Sequence, residues 1–172
     1  MKQGDMFGIT LAQYREQLMI DAQVGTHCKA CGQPAKVYHN KFNSAMARNA
    51  IWLYPHFKKH PDDWLEVGKY LVQNHRRYDG VHSKLCVYEM MHKNTEARPI
   101  TGAKSCGLYR MTEKGIAFVE ERIKVPSHWT QYNGEVLHFD GDDIGIRDAL
   151  GKHFDYAELM AEIGVWKQGE FI

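Results

Sequence analysis

Cys28 and Cys31 are separated by two residues in the run Cys28-Lys29-Ala30-Cys31-Gly32. Two thiolates at this spacing can hold one metal ion from a tight turn, and the glycine that follows lets backbone amides turn towards the sulfurs. A closed structural zinc takes four ligands, and the sequence offers no second Cys-x-x-Cys. His39, at the end of a short alternating stretch 36–39, is the third candidate ligand by sequence distance. His27 is too close to Cys28 to reach the same ion easily. Cys86, Cys106 or another subunit are the other sources. The expected cofactor is a structural zinc; the alternative is a turn that folds without metal. A thioredoxin-type redox pair needs a strand-helix-strand context that the flanks lack. Cys86 and Cys106 taken alone read as small buried hydrophobes.

Other chemistry is sparse. None of the patterns HExxH, GxSxG, GxGxxG or Walker is present, so the chain is expected not to be an enzyme. Asp140-Gly141-Asp142-Asp143 lacks the oxygen spacing and closing glutamate of a calcium loop and reads as a solvated turn. His56 and His60, four residues apart, read as helix-end surface between Pro55 and Pro61.

Charge is more informative. The net charge of +1 hides an asymmetry. Residues 1–134 carry nineteen Lys and Arg against twelve acids, and residues 135–172 carry three against nine. Between Gln33 and Pro61 there are five basic residues and no acid. A basic body with an acidic end favours contact with polyanions, the end solvating or shielding that face. No apolar run approaches the roughly 20 residues of a membrane span. The polar start predicts no secretory signal. Four cysteines without a secretory context are expected to be reduced, in the cytoplasm.

The elements that must position these groups follow from periodicity and caps. Thr10 opens a helix over 9–22 with Leu11, Tyr14 and Leu18 on one face. Asn43 or Ser44 opens a second over 44–59, burying Met46, Ala50, Leu53 and Phe57. A third runs over 63–73, burying Trp64, Val67 and Leu71. A fourth, over 80–92, is spaced by Val81, Leu85, Tyr88 and Met91. A hairpin over 98–111 and a helix over 112–122 follow. Asn133-Gly134 between alternating segments predicts a second hairpin, with Val136 to Phe139 as its return strand. Helical pieces lie at 147–150 and 156–163. The expected fold class is α+β. The expected domains are 1–42, the first helix and the Cys-x-x-Cys knuckle; 43–124; and 125–172, an acidic hairpin-and-helix extension.

Three helices, a hairpin and a helix are the order of a winged helix-turn-helix, which sets its third helix in the major groove and its hairpin beside the backbone. The stretch from Leu108 to Val119, with Thr112-x-x-Gly115 and an apolar helix after it, resembles the wing strand and following helix of MarR-like winged-helix proteins. Met111 stands where they have leucine. The wider pattern is similar to a family of small bacteriophage and prophage proteins. It is carried by Cys28-x-x-Cys31-Gly32-Gln33, Lys36-Val37-Tyr38, Asn43-Ser44-x-Met46-Ala47-Arg48, Thr112-x-x-Gly115, Val125-Pro126, the Asn133-Gly134 turn and the run from Asp148 to Met160. That resemblance implies a phage-associated origin, in the host cytoplasm, and a compact fold.

On this register His82, Lys84 and Val87 face outward from the third helix, with Arg76 and Arg77 ahead of it. Lys93, Arg98 and Lys104 are wing candidates, and Arg48, Lys58 and Lys59 extend the basic face. Lysine and arginine can pair with phosphates or read guanine edges, and apolar side chains can meet the thymine methyl. The expected function is DNA binding or regulation. The alternative is a protein-binding module that inhibits a host protein or defence complex by occupying a nucleic-acid site. The expected partners are DNA or a host nucleic-acid-binding protein, with a homodimer through the flanking helices.

Overall fold

In the computed structural model the chain is α+β, described over residues 8–96, 107–164, 166–167 and 170–171. The first helix, α1 (Leu11–Asp21), starts at a capping box: the Thr10 hydroxyl accepts the Gln13 amide, and the Gln13 side chain accepts the Thr10 amide. Strands β1 (Thr26–His27) and β2 (Pro34–Ala35) pair antiparallel on either side of the thiol turn. Strand β3 (Tyr38–Lys41) follows. Helix α2 (Ser44–Lys59) is capped by Asn43, whose Oδ1 accepts the Met46 amide at 3.1 Å. Its expected stripe of Met46, Ala50, Leu53 and Phe57 is buried, and so are Ile51, Trp52 and Tyr54. Such burial around the axis marks a central helix rather than a surface one.

Beyond α2 the chain departs from the expected helices. Leu65–Glu66 form a strand, β4, and the helix α3 begins only at Val67 (Val67–Gln73). Trp64 therefore precedes a strand instead of entering the core; it is 40% exposed, with the Arg110 guanidinium 5.0 Å from its ring. The fourth helix is replaced by a 3₁₀ turn, Val81–Cys86, which starts at Gly80 (φ 71°). Glu89, at φ 58°, turns the chain into β5 (Met91–Lys93). A long helix cannot form there because Met91, His92 and Lys93 are committed to a ladder with Met111, Arg110 and Tyr109 of β6 (Leu108–Met111). The other edge of β6 pairs with β4, which gives the sheet order β4-β6-β5.

Helix α4 (Glu113–Val119) is capped by the Thr112 hydroxyl, which accepts the Gly115 amide at 3.1 Å. Strands β7 (Val125–Tyr132) and β8 (Glu135–Ile144) are joined by Asn133 (φ 50°) and Gly134 (φ 84°), the two positive φ angles of a type I′ turn. The return strand is longer than its sequence suggested. Asp140 to Asp143, read as a solvated turn, lie within β8, where Gly141 at φ 79° absorbs a local kink. Helices α5 (Ile146–Leu150) and α6 (Tyr156–Glu162) follow, then β9 (Trp166–Lys167) paired with β10 (Glu170–Phe171). Among the described residues no helix is long and apolar enough to cross a membrane.

The chain divides into two compact units. One joins the segment up to Lys41 to His128–Asp140; its sheet pairs β3 with β7 in the register His39↔Thr130 and Asn40↔Trp129. A small core of Ala22, Ala35 and Val37, with Leu18 and Tyr132 partly buried against it, lies in this unit. The other unit comprises Phe42–Ser127 and Gly141–Ile172. There α2 packs against α3, α4, α5, α6 and the 3₁₀ turn. Phe42 meets Tyr88 edge to face at 5.0 Å, and the Tyr156 hydroxyl donates to the Val119 carbonyl at 2.7 Å. Residues 125–172 are thus shared between the two units.

Candidate functional site

The thiol turn is built by the backbone. The Cys28 amide donates to the Gln33 carbonyl at 2.8 Å, the Gly32 amide donates to the Cys28 carbonyl at 2.7 Å, and Gly32 sits at φ 72°. This fold places Cys28 and Cys31 3.5 Å apart. The backbone amides of Cys31 and Ala30 lie near enough to the Cys28 sulfur to favour its thiolate. Tyr14 of α1 adds a side-chain donor: its hydroxyl gives a hydrogen bond to Cys28 Sγ at 3.5 Å and accepts the Lys29 amide at 2.7 Å.

These donors stabilise the thiolate. The Tyr14 hydroxyl is the largest influence, followed by the Cys31 and Ala30 amides and the Cys31 side chain. Together they pull the Cys28 thiol down to about 7 against a smaller opposing effect of desolvation. The same bond raises the Tyr14 hydroxyl. Tyr14 carries no sequence signal for this role. Its spacing with Leu11 and Leu18 reads as a core stripe, and only the fold brings it to a residue fourteen positions on.

His39 does not join the thiols. Its Nδ1 lies 3.0 Å from the Thr130 hydroxyl across the β3–β7 ladder. Among the described residues no three His, Cys, Asp or Glu side chains gather in a group able to hold a metal. Strand pairing explains the separation: β3 is committed to β7, whereas the turn is carried by the β1–β2 hairpin. Cys86 is half-buried in the other unit, and burial raises its thiol. Cys106 lies outside the described residues.

The basic residues separate into two groups, both in the second unit. Arg48, Arg76 and Lys58 are engaged. Arg48 stands 3.6 Å from Asp79 and stacks on Trp52 at 4.6 Å and Phe154 at 4.8 Å. Arg76 pairs with Glu162 and lies 5.4 Å from the Trp52 ring. Lys58 pairs with Glu120, which also accepts from Tyr54 at 2.7 Å and Arg122 at 2.8 Å. Lys59, Arg77, Lys84 and Lys93 are exposed and have no ion-pair partner among the described residues.

His82, expected to face outward, is buried at 2% exposure. The reason is the period of the turn. A 3₁₀ helix repeats every three residues, so His82 and Leu85 point inward together, where an α-helix would bury Val81 and Leu85. The His82 ring meets Tyr109 edge to face at 4.7 Å, and burial pushes the imidazole down to about 4. Val87 is half-buried, and Arg98 and Lys104 lie outside the described residues.

No protein-family model, curated protein or solved structure matches this chain. The turn can bind a soft metal or react as a thiolate. The exposed cations can meet phosphate. Without an α-helix at 81–92, the second unit presents no recognition helix of the expected length to a groove.

Proposed function

We propose that the segment from α2 to α4 is a winged-helix-like module that contacts the nucleic-acid backbone, in a phage-associated protein acting in a host cytoplasm. The observation that carries this reading is connectivity. α2, β4, α3, the 3₁₀ turn, β5, β6 and α4 follow in chain order, and β6 lies between β4 and β5, so that a terminal hairpin is tied back to the helices. Three helical elements followed by such a hairpin are the arrangement that sets a wing beside a phosphate backbone. Arg77, Lys84 and Lys93 sit before the turn, on it and on β5, exposed and without ion-pair partners among the described residues. Point charges of this kind bind by counterion release and carry little sequence information. The proposed activity is thus salt-dependent binding with weak base preference.

The test is fluorescence anisotropy of a labelled duplex against salt. The wild type is expected to show a linear fall of log affinity with log salt. Replacing Arg77, Lys84 and Lys93 by Ala is expected to lower the slope by about one per residue. Failure of the wild type to bind duplex at low salt removes the reading.

One observation favours a second reading, a module that blocks a host nucleic-acid-binding protein. The first-unit part of strand β8 is exposed throughout and carries Glu135 and Asp140. An acidic strand is a surface that a basic nucleic-acid site can accept. A stoichiometric host protein captured from nuclease-treated lysate, with no retention on a DNA column, selects this reading over the first.

A further inference from the structure

We infer that Cys28 and Cys31 from two copies of this chain clamp a single zinc ion, a four-thiolate site that holds a dimer together. The pair is close enough for both sulfurs to reach one metal ion. Two sulfurs each about 2.3 Å from a tetrahedral zinc stand about 3.8 Å apart. Cys28 and Cys31 stand 3.5 Å apart, far beyond the roughly 2.05 Å of a disulfide. The Cys28 sulfur already accepts from the Tyr14 hydroxyl at 3.5 Å, an outer donor of the kind that fixes a ligand's orientation.

The hairpin that carries the turn rests on a small cluster. The core that seats the hairpin consists of Ala22, Ala35 and Val37, with Leu18 and Tyr132 only partly buried. Small hairpins are commonly held by a metal or by a partner.

A second copy is the inferred source of the missing half of the site. Zinc in a structural role takes four ligands, and no third His, Cys, Asp or Glu approaches the pair among the described residues. Cys31 is exposed, so the open side of the pair faces outward. A second copy, related by a two-fold axis through the ion, supplies two thiolates in the same geometry, and such an interface is self-complementary. The same unit offers surface for it. α1 has no buried residue; Leu11 is 57% and Ile20 60% exposed, and Val24 just past the helix is 86% exposed. The thiols open on a concavity of about 230 Å3 lined by Leu18, Pro34, Tyr38 and Tyr132. Lys36 lines it as well.

The experiment uses the full chain, purified without chelator. Zinc is measured by plasma emission and mass by light scattering. One zinc per two chains and a dimer mass are expected, with return to monomer on chelation and recovery when zinc is added back. Cobalt in place of zinc is expected to give the intense thiolate-to-metal absorption of four sulfur ligands. Cys31→Ser is expected to lose both zinc and dimer, whereas Cys106→Ser keeps both. Should Cys31→Ser fail to fold, reversible chelation of the wild type reads the same two quantities. One zinc per chain, loss of zinc in Cys106→Ser, a dimer indifferent to chelation, or no zinc uptake at all would each overturn the shared site.

Discussion

The Tyr14 hydroxyl donates to the Cys28 sulfur at 3.5 Å while it accepts the Lys29 amide at 2.7 Å. One phenol thus joins the first helix to two adjacent residues at the start of the thiol turn. Because α1 has no buried residue, this polar link is among the few specific contacts that orient it.

Removing that link has a predictable effect on thiol chemistry. The hydroxyl is the largest influence lowering the Cys28 thiol to about 7. In metal-free Tyr14→Phe the thiolate loses a donor, so its pKa rises. The midpoint of the pH profile for Cys28 alkylation should move upward from about 7 towards the ordinary thiol value. An unchanged midpoint would show that the amides alone suffice.

Gly115 reverses the usual rule for helices. Alanine within a helix normally stabilises relative to glycine, by up to about 1 kcal/mol. At Gly115 a Cβ would stand 2.4 Å from the Met90 carbonyl oxygen and 2.8 Å from Met111 Cγ. The carbonyl is held, since it accepts the Thr112 amide at 3.0 Å. Gly115→Ala should therefore cost about 1–3 kcal/mol in urea denaturation. A stabilised variant would mean that the backbone at Met90 yields.

Gly115 also shows what the sequence could reveal. Thr112-x-x-Gly115 signals a strand-to-helix junction, and the structure adds the reason for the glycine: α4 crosses the backbone at Met90 too closely for any side chain. Helix α2 was legible because Met46, Ala50, Leu53 and Phe57 keep the α period and Asn43 caps it. The Asn133-Gly134 turn was legible because few other pairs accept two positive φ angles. The 81–92 segment was not. Leu85 and Tyr88 fit an α period and a 3₁₀ period equally, and only the pairing of Met91–Lys93 with β6 decides between them. The partner of Cys28 was hidden for a different reason, since a hydrogen bond from fourteen residues upstream leaves no periodic trace.

Arg48 and Arg77 should separate stability from binding. Arg48 lies between Trp52 and Phe154 and faces Asp79 at 3.6 Å, whereas Arg77 is exposed with no ion-pair partner among the described residues. Arg48→Ala should lose about 1–2 kcal/mol through stacking and packing, with an unchanged salt slope for duplex binding. Arg77→Ala should stay within about 0.5 kcal/mol of the wild type and lower the slope by about one. The reverse pattern would place the binding face on the Arg48 side of the second unit.

His82 gives the chain an acid sensitivity whose sign can be worked out. Its imidazole is buried between Tyr78 and Tyr109, and its Nδ1 has no hydrogen-bond partner among the described residues. Burial lowers it from the usual 6.5 to about 4, and the nearby Asp79 carboxylate opposes that only in part. As pH falls below about 6.5 the unfolded chain takes up a proton that the folded chain refuses until about 4. Stability should then decline across that interval by on the order of 3 kcal/mol and be fully present above it. In His82→Phe the titrating group is gone while an aromatic ring remains against Tyr109. That variant should lie within about 1 kcal/mol of the wild type at pH 7 and lose this part of the decline. Urea midpoints at several pH values between 4 and 7 decide the matter; equal slopes in the two proteins would mean that His82 is not what sets the acid limit.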